Sequence, residues 1–527
     1  MLDLKIADGE IIDGTGSPGF FGTVLVDVDT VKIHRGDHSD IEARRTIDAS
    51  GLVIAPGFID VHSHAGLTML GEPEHLPKVR QGVTTELVGI DGNSFAPFKT
   101  QEELHRFIEL DCGLNGWPPM PADWLSVSDF LSKFDHATSI NVAMILGNSP
   151  VRIWGVGWND RPATAEEMEN MKSVVREAME DGAVGLSTGL DYPPGSYANT
   201  DELIELSRSA DRMGGFYHTH TRASLLKEGL LAPWEESLRI GRGSGIAVHL
   251  THYRQSAQGV GSHWDYIGLV EDARDEGMDV TFDCYPYPYS GTRITIALPQ
   301  WTMDGGPERL KEALHSAEDR AAIRRDMEGD GGWRKLDEQW LTNFNLPHNK
   351  KYEGHSITEI ADMRGEDPLD TLLDLLDEEG LGLSTVSLGT NAQTLPAFVS
   401  HPFGMIGSDA ILFGDYPNPR TYGCYPVILA EFVRAEKHLR LPEAIRKMTS
   451  FPAQRIGIPN RGILRDGFKA DIVLFDKHNV KTRATRQNPR VFPEGIPYVI
   501  VNGQVVIDEG EHSGVFPGRG IGRGRWG

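Results

Sequence analysis

The run Leu52-Val53-Ile54-Ala55-Pro56-Gly57-Phe58-Ile59-Asp60-Val61-His62-Ser63-His64 decides how the chain is read. Its apolar residues predict a strand, interrupted and restarted by a Pro-Gly pair. Residues i and i+2 of a strand point to the same side, so His62 and His64 can reach one point in space. A borderline-soft divalent ion, typically zinc, wants that arrangement. The pair alone is weak evidence, because two half-buried or surface histidines give the same spacing. Its meaning depends on what stands at comparable places further along the chain.

Seven more strand-like runs follow, at Val83 to Ile90, Asn141 to Gly147, Ala183 to Leu190, Gly215 to Thr221, Ile246 to Tyr253, Asp279 to Tyr287 and Gly404 to Asp409. Helical patterns lie between many of them. Over Glu166 to Glu180, residues Met168, Met171, Val174, Val175 and Met179 share a face, and Thr164 with Glu167 forms a capping box. Asp201 to Met213 and His263 to Glu276 read the same way. Eight strands with interposed helices predict an α/β fold, a (β/α)8 TIM-like barrel over residues 56–460; a doubly wound sheet is the alternative.

Both ends differ from this middle. Leu4-Lys5-Ile6 and Glu10-Ile11-Ile12 flank Asp8-Gly9, a hairpin signal, and Asn502-Gly503 begins another. Residues 1–55 and 461–515 are therefore expected to build one small discontinuous β-sandwich, with 516–527 as a C-terminal tail. The long gap after Tyr287 predicts a lid-like insertion at 290–354, with Pro307 to Met327 helical.

In such barrels chemistry sits at the C-terminal strand ends. There stand His62 and His64, then Asp91 after strand 2, His218 and His220 after strand 5, His249 and His252 after strand 6, Asp283 after strand 7 and Asp409 after strand 8. Histidines and carboxylates hold a metal and leave positions open for water, whose pKa falls from about 15.7 towards about 7 on binding. The set predicts a one- or two-metal hydrolytic site. Asp409 can shuttle a proton from water to a leaving amine, act as a plain ligand, or do both. His218 and His249 read as satisfied core histidines, with His218 also placed to back His220. Cys284 and Cys424 read as packing residues, and Asp191-Tyr192 can line the pocket from strand 4.

Composition narrows the class. A net charge of -25 over 527 residues disfavours nucleic acid and anionic membranes as partners, and the glycine-interleaved basic tail from Arg519 to Arg525 reads as a loose or docked terminus. No apolar run is long enough to span a bilayer, the N-terminal residues lack a signal-peptide pattern, and three cysteines suit a reducing cytoplasm. A small-molecule substrate is the expected partner, and the acidic surface is compatible with a homo-oligomer.

The stretch Phe58 to His64 resembles the first-strand signature of the amidohydrolase superfamily. Gln81-Gly82-Val83-Thr84-Thr85, Gly182 to Tyr192, His220-Thr221-Arg222, Thr251-His252-Tyr253-Arg254, Asp283-Cys284-Tyr285-Pro286-Tyr287, Ser408-Asp409 and Pro419 to Gly423 narrow the likeness to N-acyl-D-amino-acid deacylases, nearly end to end. The resemblance implies zinc, as one or two ions, on His62, His64, His220, His252 and Asp409, and a substrate-carboxylate clamp of Arg254, Tyr285 and Arg420. It implies hydrolysis of an N-acyl-D-amino acid. Departures from the family pattern are Asp91 in place of a cysteine ligand, Asn148 and Asn418 in place of histidines, and the lack of an acidic residue after Arg222. Asp91 can still ligate one ion or bridge two, as a harder donor than thiolate. These departures motivate a second expectation, hydrolysis of a cyclic imide, lactam or aryl amide; a non-catalytic metal-binding barrel is the third.

Overall fold

Strand Phe58–Asp60 (barrel strand 1) pairs in parallel with Val83–Val88 (strand 2), which pairs with Asn141–Met144 (strand 3). Strand 3 resumes as Leu146–Gly147 and pairs with Gly185–Gly189 (strand 4). Phe216–His220, Ala247–Leu250, Val280–Cys284 and Gly404–Ile406 (strands 5 to 8) continue the parallel order. Asp409 N donates to the His62 carbonyl at 2.8 Å and His64 N to the Ala410 carbonyl at 3.1 Å, which closes strand 8 onto strand 1. The computed structural model, which describes residues 1–329 and 336–526, is thus a closed eight-stranded barrel and not a doubly wound sheet. Residues 330–335 of the expected insertion, and Gly527, lie outside the described residues.

The predicted helices form as Ala165–Glu180, Thr200–Asp211 and His263–Asp275, the first with the Thr164/Glu167 capping box in place. Helix Ala165–Glu180 buries Met171, Val174, Val175, Ala178 and Met179, the apolar stripe its 3.6-residue period lays on one side.

Both chain ends enter one nine-stranded sheet. Leu2–Ile11, Phe20–Asp27, Thr30–His34, Ala43–Asp48 and Val53–Pro56 come from the first end; Ile472–Phe475, Tyr498–Val501, Gln504–Asp508 and Glu511–His512 come from the second. The join is the antiparallel ladder of Val53–Pro56 with Ile472–Phe475. Ile6, Val24, Ile54, Ile472 and Ile500 share its separate core. Asn502 (φ 47°) and Gly503 (φ 80°) make the expected two-residue hairpin. Asp8-Gly9 does not turn the chain: Leu2–Ile11 is one strand, and Asp8 (φ 63°) sits in a bulge between Ile6 and Gly9. Partner strands flank it on both sides, so the left-handed residue bends the ladder rather than ending it.

The insertion carries helices Pro307–His315 and Ala317–Gly329. Tyr289–Arg293 and Trp340–Thr342 both pair with Ser384–Leu388, so the three-stranded sheet over the barrel mouth is completed beyond Gly354. The C-terminal tail is docked. Gly520–Ile521 adds in parallel to Asn141–Met144, and Arg523 N donates to the Gly182 carbonyl at 3.1 Å, at the end of the barrel away from the histidines.

Candidate metal centre

The strand ends converge as the sequence predicts. Ligand atoms of His62, His64, Asp91 and Asp409 form one close group, and those of Asp91, His220 and His252 form another. Asp91 belongs to both. Its Oδ2 lies 3.5 Å from His62 Nε2, 3.8 Å from His64 Nε2, 3.6 Å from His220 Nδ1 and 4.0 Å from His252 Nε2. Asp409 Oδ1 lies 3.5 Å from His62 Nε2 and 3.2 Å from His64 Nε2.

Local backbone aims these groups. Asp91 (φ 53°), His252 (φ 36°) and Asp409 (φ 49°) all occupy the left-handed region, at about 1–3 kcal/mol each for a non-glycine residue. Gly89 and Gly92 flank Asp91 with positive φ, and a Cβ at Gly89 would stand 2.2 Å from the Ile145 carbonyl, so that turn needs glycine. Beneath strands 1 and 8, buried Lys78 pairs with Asp60 and donates to Ser408 Oγ at 2.7 Å, while Ser408 N donates to Asp60 Oδ1 at 2.9 Å. That paired charge fixes the strand carrying His62 against the one carrying Asp409.

A second ring of acceptors orients the imidazoles. His62 Nδ1 meets Asp283 Oδ2 at 3.3 Å, His64 Nδ1 meets Asn115 Oδ1 at 3.3 Å, and His220 Nε2 meets Asp191 Oδ2 at 3.2 Å. Each contact sets which nitrogen keeps a free lone pair for the centre. Asp283 does more: it accepts from His249 Nε2 at 3.0 Å and from the His252 backbone N at 2.9 Å. Asn115 is in turn held by Asp111, and Asp111 by Arg293 at 2.8 Å. The residues missed by sequence reading are Asn115, Asp111 and Arg293. Asp111 and Asn115 share a helix face, but nothing local says that face meets His64.

The electrostatics suit a cation. Burial pushes the Asp91 carboxyl up, but His62 and His220 outweigh it and hold it well below the usual range. Burial opposes Asp409 ionisation too, and Arg420, His62 and His64 overcome it, so Asp409 is a carboxylate at neutral pH. Burial lowers His220, yet Asp191 and Asp91 raise it to about 9; burial and the adjacent His220 push His252 down to about 3. Among the described residues, His62 Nε2 and Asp91 Oδ1 are buried with no hydrogen-bond partner, which costs about 1–3 kcal/mol per group unless something satisfies it. Two orphaned donors of lone pairs, in a knot of imidazoles and carboxylates, fit a divalent ion.

A cavity of about 530 Å³ opens beside Asp91, His220, His252 and Asp409, with Tyr192 and Arg254 in its wall. Arg254 donates to Ser290 Oγ at 2.7 Å and lies 4.7 Å over the Tyr285 ring. Tyr192 donates to or accepts from Thr292 Oγ1 at 2.8 Å and packs 4.9 Å from the His220 ring. Tyr285 is buried between Arg254 and Arg420, and Arg420, fully buried, puts Nη2 2.8 Å from Asp409 Oδ2. Asn148 donates to the Gly195 carbonyl and Asn418 to the Tyr289 carbonyl, each at 2.9 Å; neither lines the cavity. His218 stacks on His249 5.1 Å away and meets the Val61 carbonyl at 3.3 Å, below the centre. A larger cavity, about 970 Å³ around Arg222 and Arg239, touches none of the residues of these two groups. Among the described residues no helix is long and apolar enough to cross a membrane.

The amidohydrolase family pattern matches residues 45–223 and 349–507. The chain is 32% identical to the D-aminoacylase of Alcaligenes xylosoxydans xylosoxydans, over 99% of this chain and 98% of that protein. It is 31% identical to the N-acyl-D-glutamate deacylase of the same organism, over 96% and 94%. The crystal structure of N-acyl-D-glutamate deacylase from Bordetella bronchiseptica, complexed with zinc and a phosphonate mimic of the tetrahedral intermediate, superposes with a TM-score of 0.82 at 30% identity, covering 99% of both chains. With strand ends that gather four histidines and two aspartates, and a match spanning both halves of the barrel, this chain belongs to the amidohydrolase family.

Proposed function

We propose that the chain hydrolyses the amide of an N-acyl-D-amino acid to a carboxylate and a D-amino acid, using one or two divalent ions, zinc foremost, held by His62, His64, Asp91, His220, His252 and Asp409. The observation that carries the reading is the pair of donor groups sharing Asp91, set in the wall of a cavity that also presents Arg254. The deacylase relatives supply the substrate class and its D configuration. Three free thiols, at Cys112, Cys284 and Cys424, favour a reducing cytoplasm.

When bound, a divalent ion in this site supplies Lewis acidity, polarising an acyl carbonyl and acidifying water. The protein's own groups do the rest. Arg254 receives the substrate carboxylate with Ser290 beside it; its guanidinium also donates to the His252 carbonyl, so anchor and ligand move as one unit. Asp409, ionised and aimed by Arg420, takes a proton from the water that adds to the acyl carbon and delivers it to the amide nitrogen as the C–N bond breaks. Asp283, Asn115 and Asp191 keep the imidazoles oriented throughout.

The test is a panel of N-acetyl-D- and N-acetyl-L-amino acids with cyclic imides and lactams, assayed before chelation, after chelation and after reloading with zinc. The expected result is cleavage of D derivatives, lost on chelation and regained on reloading. Preferential cleavage of L derivatives or cyclic amides overturns the assignment.

A further inference from the structure

We infer that Asp111 and Arg293 are positioning residues that fix the tautomer of His64. Acting through Asn115, they keep the proton on Nδ1 and leave Nε2 bare for a metal ion. This rests on the metal-ligand reading of His64 given above and goes beyond it, since neither residue belongs to the donor groups.

Four side chains make the relay. His64 turns Nε2 to the centre, 3.2 Å from Asp409 Oδ1 and 3.8 Å from Asp91 Oδ2. Its Nδ1 faces Asn115 Oδ1 at 3.3 Å. Asn115 Nδ2 donates to Asp111 Oδ2, and Arg293 Nη1 donates to Asp111 Oδ1 at 2.8 Å. Asp111 and Asn115 lie one turn apart on helix Gln101–Asn115, while Arg293 ends strand Tyr289–Arg293 of the sheet over the barrel mouth. All four are buried, so protein groups rather than bulk water set the direction of each bond.

Charge supplies that direction. A guanidinium can only donate, and an ionised carboxylate can only accept. Burial pushes the Asp111 carboxyl up to about 6 while Arg293 opposes it, so at neutral pH it is a carboxylate. Facing that acceptor, Asn115 must present its NH2 to Asp111 and its oxygen to His64; the flipped amide would set oxygen against carboxylate. An oxygen opposite Nδ1 selects the Nδ1–H tautomer, and the lone pair is left on Nε2.

A change of the same shape therefore reverses the relay. In Asp111→Asn, the new amide gives its oxygen to Arg293 and its NH2 to Asn115. Asn115 then turns its own oxygen to position 111 and its NH2 to His64 Nδ1, which has to accept. The proton moves to Nε2 and blocks ligation. The double change D111N/N115D restores the order: the amide at position 111 donates to the carboxylate at position 115, whose other oxygen accepts from Nδ1–H.

The test is zinc affinity of metal-stripped protein by chelator competition, with denaturant unfolding of the same samples. D111N is expected to weaken zinc binding by about 10–100-fold, at least as far as N115A, which deletes the contact but cannot reverse it. D111N/N115D is expected to return affinity to near the wild-type value. A merely structural pair would lower stability and leave the zinc affinity of the folded protein alone. Wild-type affinity in D111N or in N115A, or a double variant no better than D111N, overturns the inference while the metal centre stands. Where D111N does not fold, the double variant, which keeps one carboxylate in the relay, is compared with N115A: affinity near wild type supports the inference, and affinity as low as N115A overturns it. Absence of zinc binding in the unaltered chain removes the metal-centre reading, and the inference with it.

Discussion

The two ends of this barrel obey opposite rules. At the C-terminal end, three non-glycine residues hold left-handed backbone, His62 Nε2 and Asp91 Oδ1 are buried without a hydrogen-bond partner among the described residues, and carboxylates crowd imidazoles. At the other end, the tail is fitted by close backbone contact. Gly518, Gly520 and Gly522 alternate, and a Cβ at each would stand 2.1, 2.0 and 2.2 Å from the carbonyls of Ile140, Leu131 and Gly182. Arg525 pairs with Asp135 at 2.8 Å, and Arg523 donates to the Gly214 carbonyl at 3.1 Å. One end keeps unmet bonding capacity for a ligand; the other spends its glycines on backbone contact. Strain and unmet bonding are gathered at the histidine end, while the glycine-spaced tail packs backbone against backbone at the opposite end.

Substitutions at each end test this division. The largest effect is expected for Asp409→Asn, which removes the proposed proton carrier. Steady-state assays should show kcat lower by about 10²–10⁴, with circular dichroism unchanged; near-normal turnover would remove Asp409 from that role. Next comes Asp283→Asn, which touches no substrate but loosens His62, His249 and the His252 backbone. Chelator competition should show metal affinity down by about 10–100-fold; unchanged affinity would mean that His62 needs no support. At the opposite end, Gly520→Ala drives a Cβ into backbone that cannot yield. Denaturant unfolding should show a loss of about 1–3 kcal/mol with kcat/KM intact below the transition. A fall in kcat/KM without loss of stability would show that the ends are not separate. The smallest effect belongs to Arg525→Ala, because Arg525 and Asp135 are 29% and 39% exposed. Its pair should contribute about 0.2–1 kcal/mol, less in high salt.

The same contrast explains what the sequence made legible. His62 and His64 could be placed because a strand has a period of two, and Asp91, His220, His252 and Asp409 because each ends an apolar run. Those are local signals, and they carry most of the donor set. The support behind it is non-local: Asn115 reaches His64 across 51 residues, and Asp283 reaches His62 across 221. No spacing rule encodes such pairs. Asp8-Gly9 failed for a related reason, because a left-handed residue before glycine serves a bulge as well as a hairpin, and only the neighbouring strands choose. The insertion was placed by the length of the gap after Tyr287, but its sheet is completed at Ser384–Leu388, a strand whose partners lie far back in the chain. The tail showed its charge and its glycines in sequence without showing that the glycines meet carbonyls.

The central claim is that two donor groups sharing Asp91 form the catalytic metal centre. The most direct measurement is a titration of chelator-stripped enzyme with zinc, following bound metal by elemental analysis and hydrolysis of N-acetyl-D-glutamine in the same samples. The account predicts no turnover in the stripped protein, activity rising with the first bound ion, and loss of tight binding in Asp91→Ala. Full activity in protein verified to be metal-free, or unchanged zinc affinity in Asp91→Ala, would contradict it.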